Sequence, residues 1–189
     1  MIPSQFIWTK MGAEAGQSLD DIIKRKESER IDGNGTFLWG IGNSLGSRFW
    51  NFIDINDNPK VIFSPMKSIA KFIDSNPSKI IKWSSYVGQD DIINEMPPNW
   101  IVTSKGMTNN KPKTSHYALV CKSVDSLLNQ HHPSINSKTF RNFNRGTVVG
   151  SSQITSIVEV LPDNTELLYP VSFIADLTYP FFVKLINPV

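Results

Sequence analysis

Residues 37–50 and 61–65 hold the side chains with the most chemical potential in this chain. An apolar run, Phe37-Leu38-Trp39, leads into Gly40-Ile41-Gly42-Asn43-Ser44-Leu45-Gly46 and then into Arg48, Phe49 and Trp50; a second run, Val61-Ile62-Phe63, ends on Ser64. Glycines let a backbone turn tightly and come close to a ligand. Asn43, Ser44 and Ser64 offer hydrogen bonds to the edge of a ring, while Trp39 and Trp50 offer flat apolar walls. This set suits the grip of a planar polar ring such as a nucleobase. It does not suit the splitting of a bond.

Other residues extend that reading. Base-reading pockets combine stacking planes with a few fixed hydrogen-bonding groups, and nearby cations hold phosphates. Trp83 and Trp100 add candidate planes, and Arg48, Lys67, Lys105, Lys111, Lys113, Arg141 and Arg145 are candidate phosphate contacts. The net charge of the chain is only +2, but residues 105–145 carry seven cations (Lys105, Lys111, Lys113, Lys122, Lys138, Arg141, Arg145) against Asp125 alone. A basic field of this kind favours polyanions through phosphate contacts and counterion release; the alternative is a solvated loop that aids solubility.

Catalytic signals are thin. Gly40-x-Gly42-x-x-x-Gly46 departs from the dinucleotide-binding spacing, since Leu45 stands where the third glycine belongs, and no helix is expected after it. His131 and His132 are neighbours before Pro133, and adjacent helical residues point about 100° apart, a poor geometry for chelating one ion. His116 opens an apolar run with no nearby carboxylate; Asp20 and Asp21 read as helix-capping acids, and Asp90 and Asp91 stand before Ile92-Ile93. No serine or cysteine stands in a nucleophile elbow. No metal and no cofactor are expected.

The elements that must position these residues fit a globular chain of 189 residues, 40% hydrophobic and 19% charged. Five tryptophans predict a large aromatic contribution to the core. Cys121 is the only cysteine, so no intramolecular disulfide forms, and it is expected to be a buried thiol. The first residues lack the basic and apolar regions of a signal peptide, and no apolar run reaches the ~18 residues of a membrane span. An intracellular location, cytoplasmic or nucleoid-associated, with no membrane partner, is expected.

Along the chain, residues 6–8 read as a strand, and Ser18 as the N-cap of a helix over 19–31. Leu19, Ile22, Ile23 and Ile31 form its apolar side, with Lys24, Arg25, Lys26, Glu27, Glu29 and Arg30 facing water. Strands are expected over 36–41, 49–53 and 60–63, then helices over 65–73 and 78–83. Further strands are expected over 100–103, 116–121, 147–149, 154–161, 167–170 and 180–186, with a short helix over 123–130. Many short strands with two to four short helices predict an α+β domain around a curved or closed sheet.

The order of these motifs resembles the PUA-like superfamily, and within it the EVE branch related to YTH readers. The resemblance rests on Phe6-Ile7-Trp8, the helix from Ser18, Trp39-Gly40-Ile41-Gly42-Asn43 and Val61-Ile62-Phe63-Ser64, covering about the first 65 residues. Gly42 stands where the family has Arg, and Pro65-Met66 follow Ser64. The resemblance implies a small mixed β-barrel flanked by helices, here one domain over 1–189 with an inserted helical segment around 66–99. It also implies recognition of a modified base of DNA or RNA in an aromatic-lined pocket, with Trp39, Asn43 and Ser64 at matching positions. The expected function is non-enzymatic nucleic-acid binding. Two alternatives stand beside it: an enzyme acting on a nucleotide or base through His116 or Asp90 and Asp91, and a protein-interaction module using exposed aromatics.

Overall fold

The computed structural model describes residues 2–13, 17–41, 45–66, 80–82, 101–103, 115–150, 153–162 and 167–186. The chain divides into two compact units: Met1–Met11, Leu45–Lys67 and Asn129–Leu177 form the first, and Gly12–Ser44, Ser68–Leu128 and Thr178–Val189 the second.

The first unit is built on β1 (Gln5–Met11), β3 (Lys60–Pro65), β8 (Phe140–Asn142), β9 (Thr155–Val160) and the first part of β11 (Phe173–Ile186). Their order is β11-β3-β1-β9-β8. β1 and β3 run parallel, and the other pairs are antiparallel. Strand partners share a face, so Phe6 and Trp8 line up with Ile62 on one side and with Val158 and Ser156 on the other. This face carries a core of Phe6, Trp8, Ile62, Ile135, Phe140, Val158 and Val171. A two-stranded ribbon, β7 (Ile135–Asn136) with β10 (Leu168–Tyr169), supplies Ile135 and Tyr169 to it.

α2 (Ser47–Ile55) also belongs to this unit and packs by β9. Its buried residues, Phe49 and Phe52, are one turn apart, and Phe52 meets Phe143 edge-on at 5.9 Å between ring centroids. The expected strand over 49–53 is therefore a helix: aromatic content favours a strand, but burial follows the i, i+3 spacing. Gly46 opens this helix with φ +65°, a conformation side chains resist.

The second unit contains α1 (Leu19–Asp32), β2 (Thr36–Ile41), β4 (Ile80–Lys82), β5 (Ile101–Thr103), β6 (Ser115–Lys122) and the end of β11. β2 pairs with β6 antiparallel, β6 neighbours β11, and β4 pairs with β5. Ser18 caps α1 as expected: its Oγ accepts from the Asp21 N–H at 3.1 Å, and Asp21 accepts in return from the Ser18 N–H at 3.3 Å. The Asp21 carboxyl is held below its ordinary range, first by the Ser18 side chain. The helix ends as Gly33 N–H meets Glu29 O at 2.8 Å and Gly35 N–H meets Arg30 O at 2.7 Å.

The architecture is thus mixed α+β, with a large mixed sheet. Among the described residues, the expected closure into a barrel does not form. β8 ends the strand order of the first unit, and its outer edge is taken by the chain's own return: Arg141 bridges Val148, and Asn142 N–H donates to Thr147 O at 2.7 Å. Residues 147–149 give only that bridge rather than a strand. Other expectations also shift. Residues 123–130 are bends rather than a helix, because the Ser123 hydroxyl donates to Asp125 O and closes a turn. Residues 80–82 pair as a strand instead of forming helix, and β11 starts at Phe173 instead of 180. The expected helix over 65–73 lies almost wholly outside the described residues.

Candidate functional site

Three groups of side chains in this fold hold more polarity or exposed aromatic surface than packing requires. The first centres on Trp8. Alternation along β1 puts Phe6, Trp8 and Lys10 on one face. The Trp8 indole Nε1–H donates to Ser64 Oγ at 3.0 Å in a fully buried setting. Phe140 and Tyr169 meet the indole edge-on, at 4.9 and 5.1 Å between centroids. Lys10, itself buried, holds its Nζ 5.3 Å from the Trp8 ring centroid, and burial pulls its pKa down. Ser156, register partner of Trp8 on β9, is buried with a hydroxyl that has no hydrogen-bond partner.

The second group is on the surface of the first unit. Trp50, on α2, is 48% exposed and touches Phe49 edge-on at 5.1 Å. Residues 129–153 contain Lys138, Arg141 and Arg145 and no Asp or Glu. Lys138 and Arg145 are exposed; Arg141 Nη1 donates to Lys138 O at 2.7 Å and Phe140 O at 3.1 Å, so that guanidinium is tied to its own backbone. Phe143, in the same turn as Arg145, is the residue that α2 meets through Phe52. The helix bearing the exposed tryptophan is therefore packed against the basic turn.

The third group is the charged inner face of α1 in the second unit. Ile22, Lys26 and Glu29 follow i, i+4, i+7 and are all buried. Glu29 takes Lys26 Nζ at 2.7 Å and Arg25 Nη1 at 3.1 Å, and Arg25 Nε donates to Gln17 Oε1 at 3.2 Å. Burial lowers the Lys26 pKa to about 8, against the pull of Glu29. Beside them, Glu27 takes both Arg30 Nε and Nη2 at 2.8 Å and the Leu127 N–H at 2.9 Å. Arg30 first, then Leu127 and Ser126, bring the Glu27 carboxyl down to about 2 against the cost of burial. The expectation that Lys24, Arg25, Lys26, Glu27, Glu29 and Arg30 face water fails for Lys26, Glu27 and Glu29, whose charges are satisfied in place, and Ile31, expected inward, is exposed.

The residues expected to form a base pocket are spread over both units. Trp50 and Ser64 belong to the first, and Trp39 to the second. Trp39 is half-buried on β2, and Ser64 is fully buried with Trp8. Asn43, Ser44, Trp83, Trp100, Lys67, Lys105, Lys111, Lys113, Asp90 and Asp91 lie outside the described residues. Arg48 is half-buried on α2, and His116 lies in β6. Trp8, Lys10, Ser156, Lys26 and Glu29 were not among the expected site residues. The signals existed: Lys10 alternates with Phe6 and Trp8, and Lys26 and Glu29 share the helical stripe of Ile22.

Among the described residues, no group of three or more His, Cys, Asp or Glu is arranged to hold a metal ion, and no helix is long and apolar enough to cross a membrane. Comparison with known proteins gives no match to a family model, a curated protein or a solved structure.

Proposed function

We propose that this chain is a non-enzymatic nucleic-acid-binding protein that holds phosphates on the basic segment of its first unit and stacks a base on Trp50. One observation carries the reading: the helix that exposes Trp50 packs, through Phe52 and Phe143, against the turn of Arg145, in a stretch of 25 residues (129–153) without a carboxylate. Aromatic planes beside cationic grooves are the general means of binding single strands, because every base has a face to stack. The PUA-like resemblance, and with it a modified base as the target, is supported by the succession of β1, α1, β2 and β3 and by Ser64 lying near the end of a strand parallel to that of Trp8.

The test is titration of fluorescent single- and double-stranded oligonucleotides, with and without modified bases, at a series of salt concentrations. Phosphate contacts make the logarithm of affinity fall linearly with the logarithm of salt. Absence of binding at low salt, or binding indifferent to salt, overturns the proposal.

A further inference from the structure

The basic turn of the first unit is held by two amide side chains. Residues 144–148 are all exposed, so burial does not fix their backbone. Asn142, only 7% exposed at the end of β8, sits at their root. Its Nδ2 lies 3.1 Å from Thr147 Oγ1, 3.2 Å from Val148 O and 3.3 Å from Thr147 O, three acceptors for two N–H protons. Its backbone takes part as well: the N–H donates to Thr147 O at 2.7 Å, and the carbonyl accepts from the Arg145 and Gly146 N–H groups at 3.0 and 3.1 Å. Gln153 closes the far end, donating from Nε2 to Asn142 Oδ1 at 3.3 Å and accepting the Gly150 N–H at 2.7 Å. Between these ties Asn144 and Gly146 take positive φ, 57° and 64°, on either side of Arg145.

We infer that Asn142 and Gln153 are positioning residues for the phosphate contact of Arg145, setting the backbone of the turn before a ligand arrives. This rests on the nucleic-acid reading above and says how its cation is held. An exposed loop ordinarily loses conformational freedom when it binds, and a loop already fixed in its bound shape avoids that cost. None of these bonds engages the Arg145 guanidinium, whereas that of Arg141 donates to Lys138 O and Phe140 O. The turn is also fixed toward the helix of Trp50, since the Phe143 N–H donates to Ile157 O at 2.9 Å and its ring meets Phe52.

A double-mutant cycle in anisotropy titrations of the full chain tests this, with a fluorescent single-stranded oligothymidylate at low salt as the probe. A stacking plane accepts any base, so this probe suffices. Asn142→Ala strips the root of the turn and destabilises β8, so the exposed Gln153 carries the test. Gln153→Ala should keep the wild-type unfolding midpoint and bind the probe roughly three- to tenfold more weakly. In an Arg145→Ala background the same substitution should change nothing further, whereas in a Lys138→Ala background the full loss should persist. A residue that only stabilised the fold would not show this dependence on Arg145. Wild type that fails to bind the probe overturns the nucleic-acid reading, and the positioning role with it. Wild type that binds, with Gln153→Ala either as tight or equally damaging with and without Arg145, overturns the positioning role alone.

Discussion

Lys26 Nζ and Glu29 Oε2 meet at 2.7 Å on the inner face of α1, where an apolar pair would ordinarily sit. Taking two charges out of water costs several kcal/mol each, which the pair offsets only while both partners remain. Glu29→Ala leaves Lys26 and Arg25 without the carboxylate they share, and should cost about 3–5 kcal/mol in urea unfolding. Lys26→Met, which fills the same space without charge, should cost far less. Equal losses from the two substitutions would show that the helix merely tolerates no change at either position.

The same lysine sets a pH dependence. The folded chain gives up the Lys26 proton at about 8, whereas the unfolded chain holds it to 10.5. Between those values the unfolded state binds more protons, so stability rises with pH, by up to about 3 kcal/mol. Burial pushes the Cys121 thiol up from 9.0, so the folded state keeps that proton longer and stability falls above pH 9. The two act in opposite directions. Denaturation profiles of wild type and Lys26→Met separate them: the rise just above pH 8 should vanish in the variant.

How far the sequence disclosed this fold depends on whether local signals and burial agreed. Ser18 and Asp21 cap α1 through a local exchange of hydrogen bonds, and residues 6–8 fall in a strand; both were legible. At 49–53 the aromatic content favoured a strand, but Phe49 and Phe52 turn inward one helical turn apart. The charged face of α1 was misread because Lys and Glu ordinarily mark the wet side, and only tertiary partners keep Lys26 and Glu29 inside. The link from Trp8 to Ser64 joins residues 56 positions apart and needs the parallel register of β1 with β3. No single-sequence pattern contains that register.

On the surface, Trp50 and Arg145 should separate base stacking from phosphate holding. Trp50 is half exposed, so Trp50→Ala should leave stability nearly unchanged while weakening oligonucleotide binding about five- to 150-fold. Arg145→Ala should weaken every sequence alike and reduce the salt slope by about one. Anisotropy titrations of both variants against one oligonucleotide decide the matter. A folded Trp50→Ala that binds as wild type places the stacking plane elsewhere.

The bond from Trp8 to Ser64 can be weighed by a double-mutant cycle. Trp8→Phe keeps an aromatic ring for the edge-on contacts with Phe140 and Tyr169 but removes the indole donor. Ser64→Ala does the reverse, leaving the buried Nε1–H with no acceptor. Each should cost about 1–3 kcal/mol, the Trp8 change also carrying the loss of packed volume. If the bond is the shared cause, the double variant should cost less than the two together, with a coupling of about 0.5–3 kcal/mol. Urea unfolding of all four proteins measures it. Strict additivity would mean that the two residues stabilise the sheet independently and that their 3.0 Å contact contributes nothing.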